Sequence, residues 1–100
     1  MALEHALMHV APGAEAGFEA VLEEALGVIT SAEGCRSARV LRGVESPSTY
    51  LLLVEWTSVA AHTEDFRSSE LFVRWRELVS PFWDQMPVVE HFEPRADRLA

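Results

Sequence analysis

The sequence predicts an α+β fold in which a four-stranded antiparallel sheet carries two helices on one face. Three observations predict it. Apolar residues alternate with period two at residues 3–10, recur with helical period across residues 14–32, and run almost unbroken through residues 49–56. A second helical stripe and a short closing strand complete a β-α-β-β-α-β order. That is the split βαβ arrangement of ferredoxin-like domains, and the right-handed crossover rule favours the spatial strand order 4-1-3-2.

Each element has its own signal. Leu3 to Val10 reads as a strand because Pro12-Gly13 turns the chain sharply after it and because its faces differ. Leu3, His5, Leu7 and His9 share one face; Glu4, Ala6, Met8 and Val10 share the other. From Ala14 to Ala32, Phe18, Val21, Leu22, Ala25, Val28 and Ile29 form a stripe at spacings of three and four, with glutamates opposite. Gly34 stands where a left-handed cap would end this helix. Cys35 to Glu45 and Thr49 to Trp56, joined by Ser46-Pro47-Ser48, read as a hairpin. Ser58 is placed to cap a short helix through Ala61 and His62. Ser68-Ser69-Glu70 opens a longer helix carrying Leu71, Phe72, Trp75, Leu78 and Val79, with Pro81 near its end and Pro87 as its stop. The last strand is Val88 to Glu93. Residues 1–94 thus make one domain and 95–100 a polar tail, consistent with a chain of one hundred residues.

Composition narrows the partners. A net charge of −8, with all eight basic residues arginine and scattered from Arg36 to Arg98, disfavours nucleic acid and anionic membranes. The longest apolar run, Tyr50 to Val54, is far short of the roughly 20 residues of a membrane span. Met1 to His5 offers neither a basic n-region nor an apolar h-region, so a cytoplasmic location is expected. The single cysteine, Cys35, fits a reducing compartment and reads as a small packed thiol rather than a nucleophile.

The third strand implies a homodimer. Two helices cover only one face of the sheet, yet Tyr50-Leu51-Leu52-Leu53-Val54 sends apolar side chains to both. Burying one leucine is worth roughly 1.5–3 kcal/mol, so a second copy packed sheet to sheet is the simple solution. The tail after Pro94 is too polar to cover that face alone.

From His9 to Glu93 the chain resembles the antibiotic biosynthesis monooxygenase (ABM) family. The matching pieces are Val10-Ala11-Pro12-Gly13, Glu33-Gly34-Cys35, Leu41-Arg42-Gly43 leading to Tyr50-Leu51-Leu52, Glu55-Trp56 followed by Ala61-His62 and Phe66, and the closing Pro87 to Glu93. The resemblance implies a dimeric α+β barrel. It also implies a pocket lined by a tryptophan ending the third strand and a polar ring six residues later, the spacing of Trp56 and His62. Oxygenases of the family carry an asparagine four residues before that tryptophan, where this chain has Leu52. The haem-degrading branch uses a histidine on the long second helix; Leu71 to Val79 has none.

The residues point to chemistry without a cofactor. Pro12 to Gly17 is not a dinucleotide-binding glycine turn. His5 and His9, four strand residues apart, are separated by about 13 Å and cannot share a zinc unaided, which leaves only a pairing of His91 with a strand-1 histidine. No metal and no cofactor are expected. The remaining reading is oxidation of a small hydroxylated aromatic or quinol by O2. In it Trp56 stacks on the substrate and His62 accepts the phenolic proton, kept neutral by the positive end of its helix. Leu52, Phe66, Phe72, Trp75 and His91 then line the pocket. A tryptophan at a strand end also serves as core packing, and a histidine one turn from a cap as a surface residue. A non-catalytic ligand-binding or stress-associated dimer, or isomerase or lyase chemistry with His62 as base, stand as alternatives.

Overall fold

The computed structural model describes all residues, Met1–Ala100. Strand β1 (Ala2–His9) leads to helix α1 (Glu15–Thr30), then β2 (Cys35–Arg42) and β3 (Thr49–Trp56). A π-helical segment, Ala61–Phe66, precedes helix α2 (Glu70–Val79), a 3-10 turn at Ser80–Phe82, and β4 (Val88–Phe92). The antiparallel sheet runs β2-β3-β1-β4, the order expected from the crossover rule.

Alternation decides which side chains meet the helices. Along β1, Ala2, Glu4, Ala6 and Met8 are buried; along β3, Tyr50, Leu52, Val54 and Trp56 are buried. Phe18, Ala25 and Ile29 of α1 and Trp75 and Val79 of α2 close over them to form the core. Helix α1 begins after Gly13, whose φ of 93° is natural only to glycine. Its N–H donates to Glu15 Oε1 at 2.9 Å. Helix α2 begins at Ser69, whose hydroxyl accepts from the Phe72 N–H at 3.4 Å.

Three local expectations change. Gly34 is not a left-handed cap: α1 ends at Thr30, Ser31 follows in right-handed geometry, and Gly13 alone has positive φ. Gly34 is small for another reason, since a Cβ there would lie 2.5 Å from Ala61 Cβ. The short helix after Ser58 is largely π-helical. Ser58 Oγ does accept from the Ala61 N–H, at 3.1 Å, but Arg67 N–H donates to the His62 carbonyl five residues back. Strand β2 also stops at Arg42, before the expected Glu45, because Gly43 N–H turns to Thr49 O and closes the hairpin.

The opposite sheet face is open. Leu41, Leu51, Leu7 and Val88 line up across the four strands in one apolar row. The next row holds Arg39, Leu53, His5 and Glu90, and the one beyond it Leu3 and Phe92 with Glu55 and Ser37. Val88 is 61% exposed and Phe92 49%. Nothing within the chain covers them.

Candidate active site

The site forms because β1 places one carboxylate in its core-facing series. Glu4 follows the same alternation as Ala2, Ala6 and Met8, so its side chain enters the protein and is only 4% exposed. Such a group needs partners. One comes from β3: Trp56 lies diagonally across the strand pair, and its Nε1–H donates to Glu4 Oε1 at 2.9 Å. A second comes from the π-helical segment, where His62 Nε2 lies 3.3 Å from the same oxygen. A third reaches the cluster from β4. Register sets His91 directly opposite Glu4, and His91 Nε2 lies 2.8 Å from His62 Nδ1 with one hydrogen between them.

Aromatic packing holds the histidine in place. The His62 ring stacks on Trp56 with centroids 5.0 Å apart and planes inclined by 16°. Phe66 flanks Trp56 at 5.3 Å. His62 is 3% exposed, so it is neither a surface residue nor free to turn.

Burial sets the protonation. Desolvation, aided by the positive charge of Arg67 and by His91, lowers the pKa of His62 to about 4. The ring is therefore neutral near pH 7, as expected, but burial rather than the helix dipole is the main cause. Desolvation also lowers the His91 pKa, with Arg67 contributing. Glu4 moves the other way. Loss of water raises its pKa, against the hydrogen bond from Trp56 and the charge of Arg67.

A cavity of about 390 Å³ opens beside this cluster, between the sheet and α2. Glu4 and His62 reach its wall, which is otherwise mostly apolar. Leu52, Phe66, Phe72 and Trp75 line it, as the sequence suggested. Trp56 does not. It is fully enclosed, with His62 lying over its ring, so the expected stacking of a substrate on Trp56 is replaced by support of His62 and Glu4. His91 stands behind His62 rather than on the cavity wall. It also does not share a face with His5 and His9, because His5 pairs with Glu90 and the next residue along points the other way. A metal shared by His91 and either of those histidines is thereby excluded. No group of three or more His, Cys, Asp or Glu side chains is placed to hold a metal ion.

Residues that the sequence did not single out complete the wall. Arg67 and Arg76 lie at the cavity, and neither has a carboxylate within 4 Å. The Arg76 guanidinium sits 5.8 Å from the ring centres of both Phe72 and Trp83. The Trp83 Nε1 is buried without a partner. Glu4 had one legible signal, an acid falling in the apolar phase of β1; the arginines had none.

The sequence profile of the family described as antibiotic biosynthesis monooxygenase matches residues 1–78. The uncharacterized protein YczJ of Bacillus subtilis (strain 168) is 36% identical over 93 residues, covering 93% of this chain and 98% of YczJ. A crystal structure from Bordetella bronchiseptica, provisionally described as an antibiotic biosynthesis monooxygenase, superposes with a TM-score of 0.91 at 37% identity, covering 95% of this chain and 97% of that one. SnoaB, a cofactor-independent oxygenase from Streptomyces nogalater whose structure is that of an asparagine-to-alanine mutant, shares the fold. Its TM-score is 0.79 at 18% identity, over 96% of this chain and 94% of SnoaB. No helix is long and apolar enough to cross a membrane.

Proposed function

Because the chain belongs to the antibiotic biosynthesis monooxygenase family, we propose that it is a cofactor-independent monooxygenase oxidising a small hydroxylated aromatic or quinol with O2. The observation that carries this reading is the neutral, immobilised His62 on the wall of an apolar cavity. A general base needs to be unprotonated at working pH and held in a fixed position, and both the lowered pKa and the packing of His62 support this.

The steps balance without a further reactant. The enolic or phenolic O–H of an anthrone-like substrate, whose pKa in water is about 10 for a phenol, gives its proton to His62. The anion passes one electron to O2, and the resulting radical and superoxide combine to form a C–O bond. The peroxide takes back a proton at its distal oxygen. Loss of the remaining hydrogen from that carbon as a proton breaks the O–O bond, leaving a ketone and, with that proton, water. The carbon loses four electrons and the two oxygen atoms gain two each. The protein supplies orientation and a dry cavity.

The reading includes a homodimer. The apolar row Leu41, Leu51, Leu7 and Val88 supports a second copy as the cover of the open sheet face. Arg39 at one edge of the neighbouring row and Glu90 at the other make that face complementary in charge to its own image turned about the strand axis.

Leu52 favours a second reading. It lines the cavity where the related oxygenases carry asparagine and offers no hydrogen bond, which suits a dimer that binds an aromatic molecule without oxidising it. One experiment separates the two. Metal-free, flavin-free protein is given dithranol, a hydroxylated anthrone, in an oxygen electrode. Uptake that falls about 100-fold or more in His62→Ala supports the oxygenase. Thermal stabilisation by a panel of hydroxylated aromatics with no uptake for any of them refutes it and leaves the binding module.

A further inference from the structure

We propose that Glu4, His62 and His91 form a proton relay that carries the substrate's proton from the cavity to the edge of the sheet and back. The inference rests on the oxygenase reading and extends it: if His62 is the base, the structure says where the proton goes next.

Imidazole is suited to relay because it can take a proton on one nitrogen and release another from the opposite one. His62 is placed to use both. Nε2 faces the Glu4 side of the cavity, 3.3 Å from Oε1, while Nδ1 lies 2.8 Å from His91 Nε2. His91 belongs to β4, an outer strand of the sheet, and is only half-buried. Its own Nδ1 makes no hydrogen bond within the chain and is not shut away from water. A proton arriving on His62 Nε2 thus releases one from Nδ1 to His91 Nε2, and His91 releases one from Nδ1 to solvent. The reverse order returns a proton for the peroxide step. Because His91 points to the helix side of the sheet, a second copy on the open face leaves this exit clear.

The carboxylate holds the inner end. Glu4 Oε1 is fixed by the Trp56 N–H, whereas Oε2 makes no hydrogen bond and is not sealed from the cavity. Formation of imidazolium beside it places opposite charges 3.3 Å apart in a site of little water. Burial also acts on both groups in the sense that favours their neutral forms, raising the pKa of Glu4 and lowering that of His62. The other charged or titratable groups felt here are Arg67, just past the π-helical segment, and the neutral Cys35 thiol of β2. Neither lies between His62 and His91.

The test uses the full chain with dithranol and O2, comparing wild type with His91→Gln and Glu4→Gln. His91→Gln keeps a hydrogen-bonding side chain yet cannot relay. Its kcat should fall about tenfold or more with KM within about twofold, and should rise again as imidazole buffer is added. Wild-type kcat should ignore the buffer. Glu4→Gln should lower kcat without gaining from the buffer, because its defect lies at the inner end. Wild-type kcat in His91→Gln, or a loss that imidazole does not restore in a folded protein, overturns the relay. A measurement free of turnover distinguishes this from failure of the oxygenase reading. In 15N-labelled protein a downfield imidazole proton should couple His62 Nδ1 to His91 Nε2 and vanish in His91→Gln. If wild type consumes no O2 the oxygenase reading falls, and this proton then decides the relay: its presence supports it and its absence overturns it.

Discussion

Lowering the pH from 7 to 4.5 should cost this protein about 2 kcal/mol of stability through His62 alone. The folded pKa is about 4 and the ordinary value 6.5, and the side chain is 4% exposed, so solvent screening is small. Well above pH 6.5 the ring is neutral in both folded and unfolded chains and its contribution is complete. Below that the unfolded chain binds a proton that the folded chain refuses, so stability falls with pH until about 4, where it levels. Over the stated interval the difference in binding amounts to about 1.8 pH units, at about 1.36 kcal/mol each. Glu4 acts in the opposite sense, because a raised carboxyl pKa favours the folded state as pH falls. Comparing wild type with His62→Gln at each pH removes that part to first order. Urea unfolding at fixed protein concentration should therefore show wild type losing about 2 kcal/mol relative to His62→Gln from pH 7 to pH 4.5. A difference that stays constant over that range would refute the argument that burial holds His62 neutral.

Three further outcomes follow from packing. Trp56→Phe removes the hydrogen bond to Glu4 and leaves space in a fully buried site, and should destabilise the protein by about 2–4 kcal/mol in urea unfolding. Gly34→Ala drives a methyl group against Ala61, and a loss of about 1–3 kcal/mol is expected by the same assay; a neutral result would mean the π-helical segment yields easily. Leu51→Glu sets a carboxylate in the middle of the row formed by Leu41, Leu7 and Val88, and should raise the dimer Kd by about 100-fold or more. Light scattering at micromolar concentration reads it, and a wild-type protein that is already a single subunit would remove the dimer from the proposal.

The fold was legible because it depends on periodicity, which lies along the chain. Thr49–Trp56 has the expected bounds, and β1 divides its faces as the alternation of Leu3 to Val10 required. The cavity wall was partly legible for the same reason: Leu52, Phe66, Phe72 and Trp75 are apolar residues in core phase. The polar centre was not. Its four members come from β1, β3, the π-helical segment and β4, and only register brings Glu4 opposite His91. Because β4 sets His91 opposite Glu4 and Glu90 opposite His5, His91 takes the face of Glu4 and not that of His5 and His9. Trp56 was singled out by the family resemblance but given the wrong contact, since the sequence cannot say that His62 lies over its ring.

The stretch from Ala61 to Phe66 behaves as an insertion that the helix never absorbed. Excising one residue from it would let the backbone settle into an ordinary α-helical repeat, and the part before the cut would swing by about 100° around the axis. The imidazole would then look past Glu4 and His91 toward solvent. Local regularity and correct aim are opposed in this segment, so a tidier, better-wound variant would be the one whose cavity has lost its basic group.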